Sequence, residues 1–292
     1  MAKVLIGDII DSFFFGEGLF RTLSGWEPSR KRGSRICFVA GREGVVVPVR
    51  IGGTRSYNEP ETAMKCYSSP QPFGETIHNL LASFPDEVWV KPRFLPQELY
   101  VGRCYIDVAL YPWIEGGQLD WECRRAIHNG RRGSLLAYLR GFLSLALSIL
   151  EAEWRHGDLK PENILCLPDG SQRLIDCDSL YHPSLPHRGH AGTPIYNHPS
   201  RGDAYDSHID DYAIALIATS LAAHIMCANL PEERVLVAHP SEGYGELLAE
   251  LFAESADLTA LLLALNGNDY RIPELHNHIA HLNVYFADYT LP

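Results

Sequence analysis

The stretch "WRHGDLKPENILC" occupies residues 154–166, after a long apolar run and just before the segment "LIDCDSLY". It places His156, Asp158, Lys160 and Asn163 within eight residues. Charged side chains are almost never fully buried unless they are paired, so this stretch is poor core material. The pattern therefore predicts a loop between two hydrophobic segments that holds polar groups against something charged.

Length and composition indicate a folded globular protein. The chain has 292 residues, which leaves both one bilobed domain and two small domains open. Its content of 46% hydrophobic and 21% charged residues is ordinary for a globular chain. The formal net charge of −11 disfavours nucleic-acid binding, because that function usually has a basic footprint.

The cysteines and the first residues favour a cytoplasmic location. The seven cysteines are scattered without a C-x-x-C pair, which is typical of reduced thiols and not of a disulfide frame or a zinc site. The start "MAKVLIGDIIDSFFFGEG" does not resemble a signal peptide, because Asp8 and Asp11 interrupt its apolar run.

Two apolar segments have nearly the length of a membrane span. Residues 135–150 carry Arg140 at their centre, and residues 210–228 are apolar except for small hydroxylated residues and His224. A span needs about 20 predominantly apolar residues. Since polar, loop-like sequence flanks both segments, we expect buried helices of one large lobe and no membrane partner.

The secondary-structure pattern changes along the chain and predicts an α+β protein. Residues 1–32 have no clear period and read as an N-terminal extension. From about Ser34 to Tyr111 we expect strands at "RICFVA", "GVVVPVRI", "TAMKCY" and "CYIDVALY", a hairpin connection at "RIGGTRSYNEPET" and one helix at "ETIHNLLASF".

The second part of the chain predicts helices. They cover residues 134–154, residues 210–228 and one long segment from Tyr244 to a stop at Gly267. A strand-rich part followed by a helix-rich part implies two lobes with a cleft. We therefore divide the chain into an extension (1–32), a small β-rich lobe (33–112) and a larger helical lobe (113–292).

Seven segments, in order, resemble the protein kinase superfamily. "HGDLKPENIL" resembles the kinase catalytic loop, H-R-D-L-x-x-x-N, and "LIDCD" stands where the family has D-F-G. "GTPIYNHPS" and "HIDDYAIAL" resemble the substrate-docking segment and the central buried helix. Upstream, "AGREGVVV", "TAMKC" and "VALYPWIEGGQL" resemble the Gly-rich loop, the strand with the ATP-binding lysine, and the hinge. The resemblance covers about residues 34–275 and implies the bilobed kinase-like fold.

The resemblance implies a role for each polar residue of the opening stretch. Asp158 would position the attacking hydroxyl, and Lys160 would neutralise charge on the transferring phosphoryl group. Asn163 and Asp176 would hold Mg²⁺, which prefers a few hard oxygen ligands beside phosphates and water. The structural alternative for Asp158 is a helix-capping residue in a turn.

Further positions would bind ATP by the same resemblance. Lys65 would hold the α- and β-phosphates, although a surface strand lysine is its structural alternative. Its partner would be Glu75 at the start of the next helix, or less well Glu87. The other nucleotide-binding positions are Gly41, Gly44 and Val46 in the phosphate loop and Tyr111, Trp113 and Ile114 at the hinge.

Three departures from the family pattern concern regulation and docking. Gly157 replaces the arginine of the catalytic loop, and Cys177 and Asp178 replace the Phe and Gly of D-F-G. Ser200 replaces the Glu of A-P-E, although Arg271 stands where the family has that Glu's ion-pair partner. Arg271 could then meet a different carboxylate.

The resemblance implies an ATP- and Mg²⁺-dependent enzyme of the serine/threonine protein kinase type, acting on a protein substrate. Lys160 two residues after Asp158 favours Ser and Thr hydroxyls, and Thr193 would link the docking segment to the catalytic loop. Two alternatives remain. An altered Gly-rich loop is compatible with an ATP-binding pseudokinase scaffold. The H-G-D loop also occurs in small-molecule phosphotransferases of the aminoglycoside-kinase kind, although "GTPIYNHPS" argues against them.

Overall fold

The chain forms two compact units that together make an α+β protein, as the sequence predicts. The computed structural model describes residues 4–15, 19–31, 35–36, 38–41, 43–51, 62–187, 192–227, 230 and 244–291. The first unit is Met1–Ile114 and the second is Glu115–Pro292. Helices, with the short 3₁₀ turns included, account for 43% and strands for 20% of the described residues.

Unit 1 is built on a curled antiparallel sheet. Its helices are α1 (Ile6–Phe15) and α2 (Gly74–Leu81), and its strands are β1 (Trp26–Pro28), β2 (Arg30–Lys31), β3 (Arg35–Ile36), β4 (Val39–Ala40), β5 (Gly44–Ile51), β6 (Thr62–Tyr67), β7 (Arg93–Val101) and β8 (Cys104–Pro112). The strand order is β1-β5-β6-β8-β7, β4 also pairs with β5, and β2 pairs with β3 separately. Strands β5, β6 and β8 and helix α2 confirm the predicted elements, whereas β7 was not predicted. The turn of the hairpin predicted between β5 and β6 lies outside the described residues.

The described part of the N-terminal segment belongs to the core of unit 1, which corrects its interpretation as a separate extension. Strand β1 pairs with β5, from Trp26↔Ile51 to Pro28↔Val49. Ile9 and Phe13 of α1 are buried against alternating residues of the sheet. Because side chains alternate between the two faces of a strand, α1 packs on one face of the sheet, where it contacts β5 and β7. The apolar start of the chain is therefore core material.

Glu98 on β7 binds the N-terminal segment at Thr22 and Leu23. The carboxylate is 1% exposed. Its Oε1 accepts the backbone N–H groups of Thr22 (2.7 Å) and Leu23 (2.8 Å), and its Oε2 accepts the Thr22 hydroxyl at 2.8 Å. Three donors to one buried carboxylate replace the water that it loses on folding.

Replacing Glu98 with Ala should destabilise unit 1 strongly. The buried N–H of Leu23 and the partly buried N–H of Thr22 would lose a charged acceptor, and such hydrogen bonds contribute about 1.5–3 kcal/mol each. We expect a loss of roughly 3 kcal/mol or more, measured by urea unfolding followed by tryptophan fluorescence. Glu43→Ala is the control, because its side chain is exposed. Equal stability of the two variants would contradict the anchoring role.

Unit 2 is mainly helical and contains one small sheet. Its helices are α3 (Leu119–His128), α4 (Arg132–Glu151), α5 (Asp211–Met226), α6 (Tyr244–Leu251), α7 (Ala256–Leu265) and α8 (Leu275–Ala287), and its strands are β9 (Gly117–Gln118), β10 (Ile164–Cys166) and β11 (Gln172–Leu174). The sheet order is β11-β10-β9, and both pairings are antiparallel.

Helices α4 and α5 confirm the two predicted apolar helices. From Asp211 to Ile225 every residue of α5 is buried, as expected for the central helix of a lobe. Arg140 in α4 donates to the carbonyls of Phe286 (2.7 Å) and Ala287 (2.8 Å), which connects α4 to the end of α8. Among the described helices, α4 has the length and composition of a membrane span. Of its most apolar stretch of 18 residues, 44% is buried inside the molecule.

The long helix predicted from Tyr244 to Gly267 is wrong in one respect, because two helices occupy this segment. Ser255 lies between α6 and α7, and its side chain accepts the N–H of Leu258 at 3.3 Å. This N-cap starts a new helix and competes with continuation of the first. Helices α1, α3 and α8 were also not predicted.

Candidate functional site

Asp210 fixes the backbone of the "HGD" loop. It immediately precedes α5 and is 1% exposed. Its Oδ2 accepts the N–H of His156 at 2.5 Å, and its Oδ1 accepts the N–H of Gly157 at 2.9 Å. Burial raises the pKa of Asp210, and His156 together with these two N–H groups opposes the rise. The loop is thus attached to the central helix of unit 2 through backbone atoms.

His156 connects the loop to the segment that carries Asp176. Its Nε2 lies 2.8 Å from the Ile175 carbonyl, and its Nδ1 lies 3.2 Å from the N–H of Asp158. A carbonyl only accepts and an N–H only donates, so the ring proton is on Nε2. The imidazole is completely buried and serves as a structural bridge.

Asp158, Lys160 and Thr193 form the polar centre of the site. Lys160 Nζ donates to Asp158 Oδ2 and to Thr193 Oγ1, each at 2.8 Å. The predicted link between Thr193 and the catalytic loop therefore runs through Lys160. Asp158 Oδ1 is buried and has no hydrogen-bond partner among the described residues. A buried carboxylate oxygen without a donor is costly, and a ligand hydroxyl would supply that donor.

Asn163 presents its amide oxygen away from the loop. Its Nδ2 donates to the backbone carbonyl of Asp158 at 2.8 Å. Because the amide nitrogen faces this carbonyl, Oδ1 points to the other side, and within the described part of the chain no donor reaches it. An uncommitted amide oxygen suits a hard cation such as Mg²⁺.

Asp176 adopts an unusual backbone conformation beside Asn163. It has φ 65° and ψ 74°, in the left-handed region that non-glycine residues rarely occupy. The preceding residue, Ile175, donates its N–H to the Asn163 carbonyl at 3.0 Å. Such strain costs on the order of 1–3 kcal/mol and persists where surrounding contacts enforce it, often at functional sites.

Gly157 cannot be replaced by a larger residue without moving the backbone. Its φ is +82°, and a Cβ added there would lie 2.0 Å from the carbonyl oxygen of Ser179. A side chain at position 157, such as the arginine of the kinase pattern, would therefore meet the segment after Asp176. The neighbouring Arg155 is no substitute, because its guanidinium donates to the carbonyls of Ile149, Ala152 and Ser207.

Ser200, at the end of the segment that resembles the kinase docking segment, bonds to a histidine and not to Arg271. Ser200 donates its N–H to His198 Nδ1 at 3.1 Å, and its Oγ lies 2.7 Å from the same atom. Arg271 instead pairs with Asp269 at 3.2 Å, where both side chains are more than half exposed. The expectation that Arg271 meets a different carboxylate is confirmed, and this exposed pair contributes little to stability.

In unit 1, Lys65 lies on the sheet face opposite α1. It pairs with Val46 on β5 and with Ala109 on β8, so these three residues form one row across the sheet. Its side chain is 7% exposed, which excludes the alternative of a surface lysine. Lys65 Nζ lies 5.2 Å from the centre of the Tyr67 ring, an arrangement that favours a cation.

The predicted partner of Lys65 faces solvent. Glu75 is exposed on α2, whereas His78 on the same helix is 9% exposed and stacks on Phe94 with ring centres 5.1 Å apart. Burial, assisted by the charge of Lys65, lowers the pKa of His78 to about 4. The titratable side chain that α2 buries is thus a neutral imidazole, and not the predicted Glu75. Glu87, the weaker alternative, is also exposed.

The predicted phosphate loop is the tip of the β4–β5 hairpin. Gly41 donates its N–H to the Gly44 carbonyl at 2.9 Å, so the hairpin itself uses the donor that a phosphate would need. A Cβ on Gly44 would lie 2.0 Å from the Cys66 carbonyl oxygen. Close packing against β6 therefore explains Gly44 without a ligand. Val46 is half-buried on β5.

The predicted hinge residues lie at the end of β8. Tyr111 is buried within the strand, whereas Trp113 and Ile114 follow its last residue, Pro112. Trp113 is 44% exposed, and Ile114 is half-buried. An exposed indole at a strand end is a flat apolar surface that can stack on a planar ligand.

Comparison with protein-family models and with curated proteins finds no match to this chain.

Proposed function

We propose that this protein is a kinase-like phosphotransferase that transfers the γ-phosphate of MgATP to a serine or threonine hydroxyl of a protein. In this proposal unit 1 is the small lobe and unit 2 is the large lobe of the bilobed kinase fold. Each unit supplies its own groups: Lys65 and the end of β8 in unit 1, and the "HGD" loop with Asp176 in unit 2. A cytoplasmic location is part of the same proposal.

The observation that carries the proposal is the unpartnered oxygen of Asp158. Lys160 already satisfies Oδ2, so Oδ1 is the acceptor left for an incoming hydroxyl. By accepting that hydrogen bond, Asp158 orients the hydroxyl oxygen that attacks the phosphate and can take up the hydroxyl proton as a general base. Lys160 remains beside the same carboxylate, where its charge can stabilise a phosphoryl group.

Asn163 and Asp176 fit a magnesium ion. Asn163 offers an amide oxygen that has no donor among the described residues, and Asp176 offers a carboxylate on a strained backbone. Two protein ligands are sufficient, because Mg²⁺ retains water and phosphate ligands. Mg²⁺ bound there would supply charge neutralisation for the phosphates. The chain's own task is to hold these two oxygens in place, which the hydrogen bond from Ile175 to Asn163 supports.

Nucleotide binding tests the proposal directly. We expect ATP to raise the melting temperature of the protein more in the presence of Mg²⁺ than in its absence. Asp176→Ala should remove the Mg²⁺-dependent part and weaken MgATP binding about tenfold or more, which corresponds to about 1.4 kcal/mol. Calorimetric titration gives the affinities.

The control for this titration is Asp169→Ala. Asp169 is exposed in the turn after β10, and its carboxylate serves Ser171. This variant should bind MgATP like the wild type. Absence of binding at millimolar ATP, or equal binding by Asp176→Ala and wild type, would refute the metal assignment.

A nucleotide-binding scaffold without transferase activity is the second candidate. Two observations favour it: the exposed Glu75 and the Gly41 N–H that the hairpin already uses. Both affect nucleotide positioning and leave the acceptor oxygen of Asp158 in place. Radiolabelled ATP with generic protein substrates distinguishes the candidates, because a scaffold binds the nucleotide and transfers nothing.

A further inference from the structure

Arg201 is a buried cation in the docking segment that the sequence analysis did not single out. Its side chain lies at the end of the short 3₁₀ turn Pro199–Arg201, and the residue is 5% exposed. Burial lowers the pKa of Arg201, and the negative charges of Asp210, Asp158 and Asp206 oppose this lowering. A buried guanidinium costs several kcal/mol unless its surroundings compensate, so its location demands a reason.

A chain of hydrogen bonds leads from Arg201 to the reactive carboxylate. Arg201 Nη1 donates to Asn197 Oδ1, and Asn197 Nδ2 donates to the Thr193 carbonyl at 3.1 Å. The Thr193 hydroxyl accepts from Lys160 Nζ, which also donates to Asp158 Oδ2. Three residues, Asn197, Thr193 and Lys160, thus join the guanidinium to Asp158.

The chemistry of Arg201 fixes the direction of this chain. Arginine has only donors, so the oxygen of Asn197 must face it and the amide NH₂ must face Thr193. Space is tight at this point: a Cβ added to Gly192 would lie 2.9 Å from Asn197 Nδ2 and 3.0 Å from the Gly157 carbonyl. Gly192, the residue before Thr193, therefore packs closely against both Asn197 and the "HGD" loop.

We propose that Arg201 is a positioning residue that acts through Asn197 and Thr193 to hold Lys160 at Asp158. It would do within the docking segment what the family's arginine cannot do at position 157, where no side chain fits. Its importance for phosphoryl transfer rests on the function proposed above. Its effect on Lys160 does not, and can be measured without any turnover.

The first test is the reactivity of the Lys160 amine. Limited reductive methylation followed by peptide mass spectrometry gives a labelling rate for this lysine. Arg201→Met and Thr193→Val should each raise the labelling rate several-fold. Thr193→Val removes the hydroxyl that accepts from Lys160 Nζ, and Arg201→Met releases the residues that hold this hydroxyl in place. The double variant should label no faster than the faster single variant, because the two residues act in one chain.

Two further variants make this test decisive. Arg132→Met is the control, because Arg132 donates to the Ile225 carbonyl elsewhere in unit 2. It should leave Lys160 labelling at the wild-type rate. Asn197→Asp replaces Arg201→Met if that variant does not fold, since aspartate keeps an acceptor for Arg201 and presents an oxygen to the Thr193 carbonyl. Wild-type labelling in Arg201→Met, or in Asn197→Asp where it takes the place of that variant, or equal acceleration in Arg132→Met, would overturn the inference.

Phosphate-transfer rates supply the second readout. Arg201→Met should lower kcat about tenfold or more, or about 1.4 kcal/mol of barrier, with little change in the KM for ATP. Arg201→Lys should restore part of the loss, since it keeps a donor for Asn197. If the wild type transfers no phosphate but the variants still change Lys160 labelling, the proposed function fails and the positioning role stands. If transfer occurs and labelling is insensitive, only the positioning role fails.

Discussion

Asp158→Asn should abolish phosphate transfer and leave the affinity for ATP nearly unchanged. The Lys160 ammonium requires an acceptor, so the amide oxygen of the new side chain takes the place of Oδ2. The amide NH₂ then occupies the position of the unpartnered Oδ1, where it can only donate. A substrate hydroxyl loses its acceptor, and general-base contributions of this kind are worth about 10²–10⁴ in rate.

Transfer of radiolabelled phosphate and ATP titration measure the two halves of this prediction. Asp169→Asn is the matched control, because it makes the same chemical change at an exposed turn. A variant that loses ATP affinity together with activity would place Asp158 at the nucleotide. If wild type labels no protein, the scaffold gains support, and if it labels aminoglycosides or other small alcohols, the small-molecule phosphotransferase is the better assignment.

Asp210→Ala should have the largest effect on stability. The change leaves the N–H groups of His156 and Gly157 without an acceptor in a buried site. It also removes a negative charge that favours the buried Arg201 cation. Each lost hydrogen bond to a charged group costs about 1.5–3 kcal/mol, so we expect a loss of roughly 3–6 kcal/mol. That is a large share of the 5–15 kcal/mol typical of a folded domain.

Urea unfolding of the full chain measures this loss. Asp257→Ala is the control, since that carboxylate meets two partly exposed histidines, His278 and His281. Its loss should cost less than about 1 kcal/mol. Asp210→Asn should fall between the two, because its amide oxygen serves one N–H while its NH₂ faces the other. A cost below 1 kcal/mol for Asp210→Ala would show that other groups hold the loop.

The sequence by itself determined the types and order of the main elements, because hydrophobic periodicity is a local property. Strands β5, β6 and β8 and helices α4 and α5 follow from it. It also brought Asp158, Lys160 and Asn163 into one loop, since residues so near in the chain remain near in space. Errors arose where local signals compete, as at Ser255, or where an apolar segment has no clear period, as in α1.

Tertiary structure decided which distant groups complete the site. Asp210, Thr193 and Arg201 lie more than 30 residues from the loop that they hold, and no periodicity links them to it. Packing also selected His78 over Glu75 as the buried face of α2 and left Gly157 no room for a side chain. Hydrogen bonds and close contacts between remote segments depend on how the whole chain packs. A local stretch of sequence does not determine which distant residues will contact it.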